Sequence, residues 1–206
     1  MTQLAFLKKS ARNKNVFKIC VLLFSLFLIC SLKSYAQSYH AQVLQVDIVN
    51  QQNEYFLTAD FAYQLSPQAN EALQNGVPLF WCLKIKVQKE KAFWFSQTLL
   101  EHTLRYRLQY HALLKMYQLK NENTNVVSHF SSLNAALNAM ATMRNFPLIA
   151  ALAIAKNKRY SVAIKVNFED EKLPLPLQTQ VLANKQWQLS SEWTRWEIPN
   201  FDNALH

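Results

Sequence analysis

From Leu44 onward, large apolar residues return at every second position through most of the chain, and this period constrains the fold more than any other feature. A strand turns successive side chains to opposite faces, so such a run has one apolar face that must be buried against a second layer. Leu44, Val46 and Ile48 stand against Gln45 and Asp47. After the polar turn Asn50 to Asn53, the residues Tyr55, Leu57, Ala59, Phe61, Tyr63 and Leu65 stand against Thr58, Asp60 and Gln64, which predicts a β-hairpin with one buried face. Leu79, Trp81, Leu83, Ile85 and Val87 line one side of the next strand, with Cys82, Lys84 and Lys86 on the other, and Phe93 to Leu100 follow. Leu104, Tyr106, Leu108 and Tyr110 alternate with Arg105, Arg107, Gln109 and His111, and the stretch runs on to Leu119 and the polar turn Asn121 to Asn125. Tyr160, Val162, Ile164 and Val166 oppose Lys165 and Asn167, and the last segment alternates through Trp187, Leu189, Ser191 and Trp193.

Two interruptions change the period. Ser66-Pro67 combines a capping hydroxyl with a proline suited to a first helical turn, and Gly76, the only glycine in the chain, is placed to end that helix in the left-handed conformation. Between Ser132 and Met143, Leu133, Ala136, Leu137 and Met140 fall on one helical face. The expected fold is mainly β (α+β): an antiparallel two-layer β-sandwich with two short inserted helices, near 67–75 and 132–143. No internal repeat, low-complexity tract or linker marks a second domain, and half of the residues are hydrophobic (50%), enough for one substantial core over 37–206.

The amino-terminal segment reads differently. Residues 1–36 hold Lys8, Lys9, Arg12, Lys14, Lys18 and Lys33 and no acid; Ile19 to Cys30 is an apolar run, and Ser34-Tyr35-Ala36 offers small side chains at the two positions a signal peptidase inspects. This predicts a signal peptide cleaved before Gln37 and a periplasmic domain. The alternative is an inner-membrane protein anchored by residues 19–32, a run that is short for a span of roughly 20 residues. Of the 22 lysines and arginines, six lie in this segment, leaving 16 to face 13 carboxylates. The basic isoelectric point therefore belongs largely to the targeting signal, and nucleic acid is not the expected partner. Cys20 and Cys30 leave with the segment, so Cys82 is the only cysteine of the mature chain and no internal disulfide is expected.

Chemistry is sparse. Arg105, Arg107 and His111 share one face of one strand and are the candidate anion or ligand site, since guanidinium groups offer planar donor forks to phosphates and carboxylates; the bland reading is a solvated row facing acids on a neighbouring strand. His40, His102, His111 and His129 are scattered without metal-ligand spacing, so neither metal nor cofactor is expected. One glycine excludes phosphate-cradling loops and a Gly-x-Ser-x-Gly elbow. Asp47, Asp60, Glu101 and Glu169 remain as acids that folding can pair, although the balance leans away from an enzyme. Cys82 reads as a half-buried strand residue with an intermolecular disulfide as the alternative. Leu173-Pro174-Leu175-Pro176-Leu177 reads as an edge, an extended polyproline-like strap or a turn, a candidate for partner docking or for closing one end of the sandwich. Trp187 and Trp193 share a face and are expected in the core, with Trp196 as the exposed anchor.

Leu65-Ser66, Glu71-Ala72-Leu73, Gly76-Val77-Pro78-Leu79-Phe80, Phe93-Trp94-Phe95, Arg105-x-Arg107-Leu108-x-Tyr110-His111-x-Leu113, Leu173-Pro174-x-Pro176-Leu177-Gln178 and Trp187-x-Leu189-x-Ser191-x-Trp193, in that order, resemble the proteobacterial domain-of-unknown-function family 4390, whose members are often labelled proline-rich signal peptide proteins. Ser96 departs from it where an acid is common, and Glu169 stands where an aspartate usually precedes the Leu-Pro motif. The resemblance implies an envelope protein of unassigned activity, often encoded beside a membrane histidine kinase. The reading is thus an envelope interaction module whose partner is an envelope or inner-membrane protein, and which touches the membrane only through an uncleaved signal. The alternative is a small anionic-ligand binder or hydrolase built on Arg105, Arg107 and His111.

Overall fold

The computed structural model describes residues 40–91, 96–150 and 158–199; the expected signal segment and Phe93-Trp94-Phe95 lie outside them. Strands β1 (Ala41–Gln51) and β2 (Glu54–Tyr63) form the predicted hairpin. Its two-residue connection places Gln52 and Asn53 at φ 50° and 64°, the backbone whose twist matches that of the flanking strands. The alternation begins differently from the expectation. A bulge between Val43 and Gln45 leaves Leu44 unpaired and 60% exposed, so Ala41 faces the core before the bulge and Ile48 after it.

Helix α1 (Pro67–Gln74) starts where its cap predicts: Ser66 Oγ accepts from the Ala69 amide at 3.1 Å. Gly76, at φ 83°, ends it as the Gly76 amide donates to Leu73 and the Val77 amide to Ala72, which satisfies carbonyls the last turn would leave open. β3 (Leu79–Glu90), β4 (Ser96–His111), β5 (Met116–Asn121) and β6 (Val127–Phe130) follow as a meander. Helix α2 (Leu133–Met140) is capped by Ser132 and buries Ala136, Leu137 and Met140. It stops short of Met143 because Thr142 and Met143 pair with Asp60 and Ala59, opening β7 (Thr142–Ala150). β7 has no alternating signature: two register shifts against β2, Asn145 at φ 48° and Pro147 all disturb it, as an edge strand tolerates. β8 (Tyr160–Phe168) leads to a 3-10 turn at Asp170–Lys172 and then helix α3 (Leu175–Ala183). A second 3-10 turn at Lys185–Trp187 precedes β9 (Thr194–Glu197).

The Leu-Pro segment is therefore not an extended strap. Pro174 caps α3 and Pro176 sits in its first turn, where a missing amide costs no helical hydrogen bond. The tryptophan assignment also changes: Trp187 is buried, but Trp193 is exposed and Trp196 packs against the core from β9, opposite Val162. No strand forms over 188–193. Ser190 and Ser191 hydroxyls take the amides of Phe168 and Val166, both at 2.8 Å, which replaces a regular ladder with side-chain bonds and shifts the phase.

Among the described residues the strands make two antiparallel sheets, β1-β2-β7 and β6-β5-β4-β3-β8-β9. Their apolar faces meet as a sandwich: Tyr55, Leu57, Ala59 and Phe61 of the smaller sheet and Trp81, Leu83, Ile85, Val87, Val162, Ile164 and Val166 of the larger one share one core. An aromatic chain runs through it from Phe61 by Tyr63, Trp81 and Phe168 to Trp187, each step 5.3–6.5 Å between ring centres. Burial, with a smaller push from Tyr106, raises the Tyr63 hydroxyl well above its ordinary pKa, so it stays neutral. Arg105, Arg107, Lys84 and Lys86 of β3 and Lys165 of β8 are left on the larger sheet's outer face.

Candidate functional site

The outer face is built by the register of β5, β4, β3, β8 and β9. One row across it places Arg105 beside Cys82 and Cys82 beside Asn167; the next places Thr103, Lys84 and Lys165 side by side; a third places Glu101, Lys86, Ala163 and Arg195.

The structure does not bring Arg105, Arg107 and His111 together. Six residues of extended chain separate the first from the last, roughly 20 Å at the rise of a strand, and each has a partner on a neighbouring element. Arg105 Nε donates to Glu169 Oε1 at 3.0 Å, and Lys172 Nζ lies 2.7 Å from Oε2 of the same carboxylate. Arg107 Nε reaches Glu122 Oε1 at 3.4 Å, with Lys120 on the other oxygen at 3.1 Å. His111 Nε2 is 3.1 Å from the Gln118 side-chain oxygen, and Gln118 in turn is 3.3 Å from His129. The row is thus a set of cross-strand pairs, its acids supplied by Glu122 and Glu169. Burial alone would raise the pKa of Glu169, but its contacts with Lys172 and Arg105 outweigh that and hold it below the ordinary carboxylate range. The Glu169 bond in turn raises Arg105 further.

Cys82 is 1% exposed, more deeply covered than its half-buried expectation, with Arg105 and Asn167 beside it on the two flanking strands and the charges of Glu169 and Lys172 near it. Burial, then the nearby Glu169 charge, pushes its thiol up. A buried neutral thiol does not form an intermolecular disulfide. Asp60 pairs with Arg144 at 2.6 Å and Glu101 with Lys86 at 3.6 Å, so neither comes together with Glu169 as an acid-base pair. Among the described residues no three His, Cys, Asp or Glu side chains meet in a way that could hold a metal ion.

Two features were not anticipated. An open groove of about 530 Å³ is lined by Lys86 and Gln88 of β3, Ala163 of β8 and Trp193, Thr194 and Arg195 at β9. The Lys86 ammonium lies 4.9 Å from the centre of the Trp193 ring. The alternation did place Lys84 and Lys86 outward, but only the β3–β8 and β8–β9 registers set Lys165, Trp193 and Arg195 beside them. The second feature is the β4–β5 turn, where Leu113 is fully exposed (100%) and Leu114 is 65% exposed. Of the Leu-Pro segment, Leu173 is buried, Leu177 packs on the core, and Leu175 stands 76% exposed on α3.

The family model described as Domain of unknown function (DUF4390) matches residues 38–197, from the strand before the first hairpin turn to the end of β9. The chain belongs to the DUF4390 family. No curated protein and no solved structure matches it. The DUF4390 match takes in both sheets, the paired row on β4, the groove at β9 and the apolar turn, so all three surfaces lie within the family domain.

Proposed function

We propose that this protein is an exported module of the bacterial cell envelope that acts by binding a protein partner, with the β4–β5 turn as its principal contact. The observation that carries the reading is the exposure of Leu113 and Leu114 at the turn that ends the longest strand, β4. Turns of this kind ordinarily carry glycine, asparagine, aspartate or serine, and two adjacent leucines held in water are the sort of side chain that anchors an interface. Leu175 on α3 is a second apolar contact. The basic, apolar and small-residue succession of 1–36 supports export to the periplasm, and the family resemblance supports an inner-membrane sensor as the partner class. Catalysis or anion binding by Arg105, Arg107 and His111 finds no support in the geometry, because carboxylates or an amide engage each of them separately.

The test is photocrosslinking in living cells, with the photoreactive residue at Leu113, at Leu175 and, as control, at Gln42 on the exposed part of β1. A discrete adduct to one envelope protein from position 113, weakened when Leu114 is changed to serine and missing from position 42, supports the reading. Equal adducts from all three positions, or none from 113, overturn it. Leu114→Ser should itself shift stability by no more than about 0.5 kcal/mol, since the side chain touches little of the core.

A further inference from the structure

Most basic side chains on the outer face of the larger sheet are neutralised: Arg105 by Glu169, Arg107 and Lys120 by Glu122, Lys86 by Glu101. Lys84 and Lys165 are the exception. They are directly opposite each other on β3 and β8, where cross-strand Cβ atoms sit roughly 4.5–5.5 Å apart and like charges repel. Among the described residues no carboxylate stands within ion-pair distance of either, nor of Arg195, which lies opposite Ala163 two positions along β8. Arg195 lines the Lys86–Trp193 groove, and Lys84 and Lys165 stand in the adjacent row, two positions along β3 from Lys86 and along β8 from Ala163. The groove's volume of about 530 Å³ falls inside the small-molecule range of roughly 300–1,000 Å³.

We propose that this groove binds a free sugar-sized ring bearing a phosphate or carboxylate, its anion held between Lys84, Lys165 and Arg195 and its flat face laid on Trp193. The inference goes beyond the partner-docking reading and uses a different surface. The chemistry follows from the side chains. Arg195 supplies a planar fork and the lysines supply point charges, the combination that phosphates and carboxylates accept. Trp193, 42% exposed and backed on one side by Lys86, offers an indole surface to an apolar ring face, while Gln88 and Thr194 in the groove wall supply hydrogen-bonding groups for ring hydroxyls. An anion also accounts for the placement of the lysines, because it turns a repulsive cross-strand pair into two attractive contacts. The groove's volume is that of a site for a small soluble ligand.

Calorimetric titration of the purified full chain with glucose 6-phosphate, glucuronate, glucose and inorganic phosphate tests the proposal, with tryptophan emission followed in parallel. Saturable binding of glucose 6-phosphate or glucuronate is expected, with glucose and inorganic phosphate each at least tenfold weaker and a change in emission that Trp193→Phe abolishes. Lys84→Gln combined with Lys165→Gln should weaken binding at least tenfold and, without ligand, raise the thermal midpoint, which distinguishes a lost contact from a damaged fold. Lys120→Gln, two strands away and already bridged to Glu122, should leave affinity within twofold. Absence of saturable binding by either charged sugar, equal affinity for bare phosphate, or equal loss in Lys120→Gln overturns the proposal.

Discussion

Glu169 shows how one side chain holds this surface together. It is buried beside Cys82, its amide donates to Phe80 at 3.0 Å, and its carboxylate joins Arg105 on β4 to Lys172 on the 3-10 turn after β8. Glu169→Gln keeps the shape and removes the charge, leaving two cations without their shared anion. A loss of about 1.5–3 kcal/mol is expected at pH 7, the range for hydrogen bonds to charged groups. The pH dependence has a definite sign. A carboxyl whose folded pKa lies below its unfolded value stabilises the fold above the unfolded value, roughly pH 4, and loses that contribution as pH falls through the folded one. Urea unfolding of wild type and Glu169→Gln should therefore differ most at neutral pH and converge below pH 4. A difference that persists undiminished in acid would mean that the carboxylate's charge is not what the site needs. The sequence marked Arg105 and Glu169 separately, but their pairing crosses 64 positions and depends on the β3–β4 and β3–β8 registers.

At the scale of elements, local signals performed best where a single residue has a backbone duty. Ser66, Pro67 and Gly76 placed α1 within a residue, since a cap hydroxyl, a fixed φ and a left-handed position act without tertiary help. A Cβ on Gly76 would meet only the Tyr110 carbonyl oxygen, at 4.0 Å, so the backbone conformation rather than a clash selects glycine there. Periodicity failed where sheet pairing breaks it. β7 was invisible because its two register shifts erase the alternation, and the end of α2 was overrun because Thr142 and Met143 are drawn into pairing with β2. The Leu-Pro segment was misread because prolines near a helix start look the same in sequence as prolines in an extended strap. The β1 bulge gives a direct check. Leu44 belongs to the alternating set in sequence, yet stands outside the core, whereas Ile48 is 5% exposed. Leu44→Ser should change stability by no more than about 0.5 kcal/mol, while Ile48→Ala should cost about 2–5 kcal/mol. Comparable losses in a denaturant titration would place Leu44 inside and remove the bulge.

For the whole molecule, the alternation was enough to indicate two facing antiparallel layers, since a half-apolar strand has few other ways to hide its face. The groove was less legible, because it exists only where three strands and the segment before β9 come into register. Export and burial meet in the cysteines. The proposed cleavage before Gln37 would remove Cys20 and Cys30, and the fold shields Cys82 while burial, ahead of the Glu169 charge, keeps its thiol protonated. Intact-mass measurement of protein recovered from the cell envelope reads both properties at once. Native protein should take up no alkylating reagent, denatured protein should take up one equivalent, and neither mass should change on reduction. Three equivalents after denaturation would mean that the amino-terminal segment is retained and that residues 19–32 anchor the domain. One equivalent in the native state would mean that the sheet face around Cys82, Arg105 and Glu169 opens readily enough to admit a reagent, and the bridge assigned to Glu169 would then be too weak to carry the stability predicted for it.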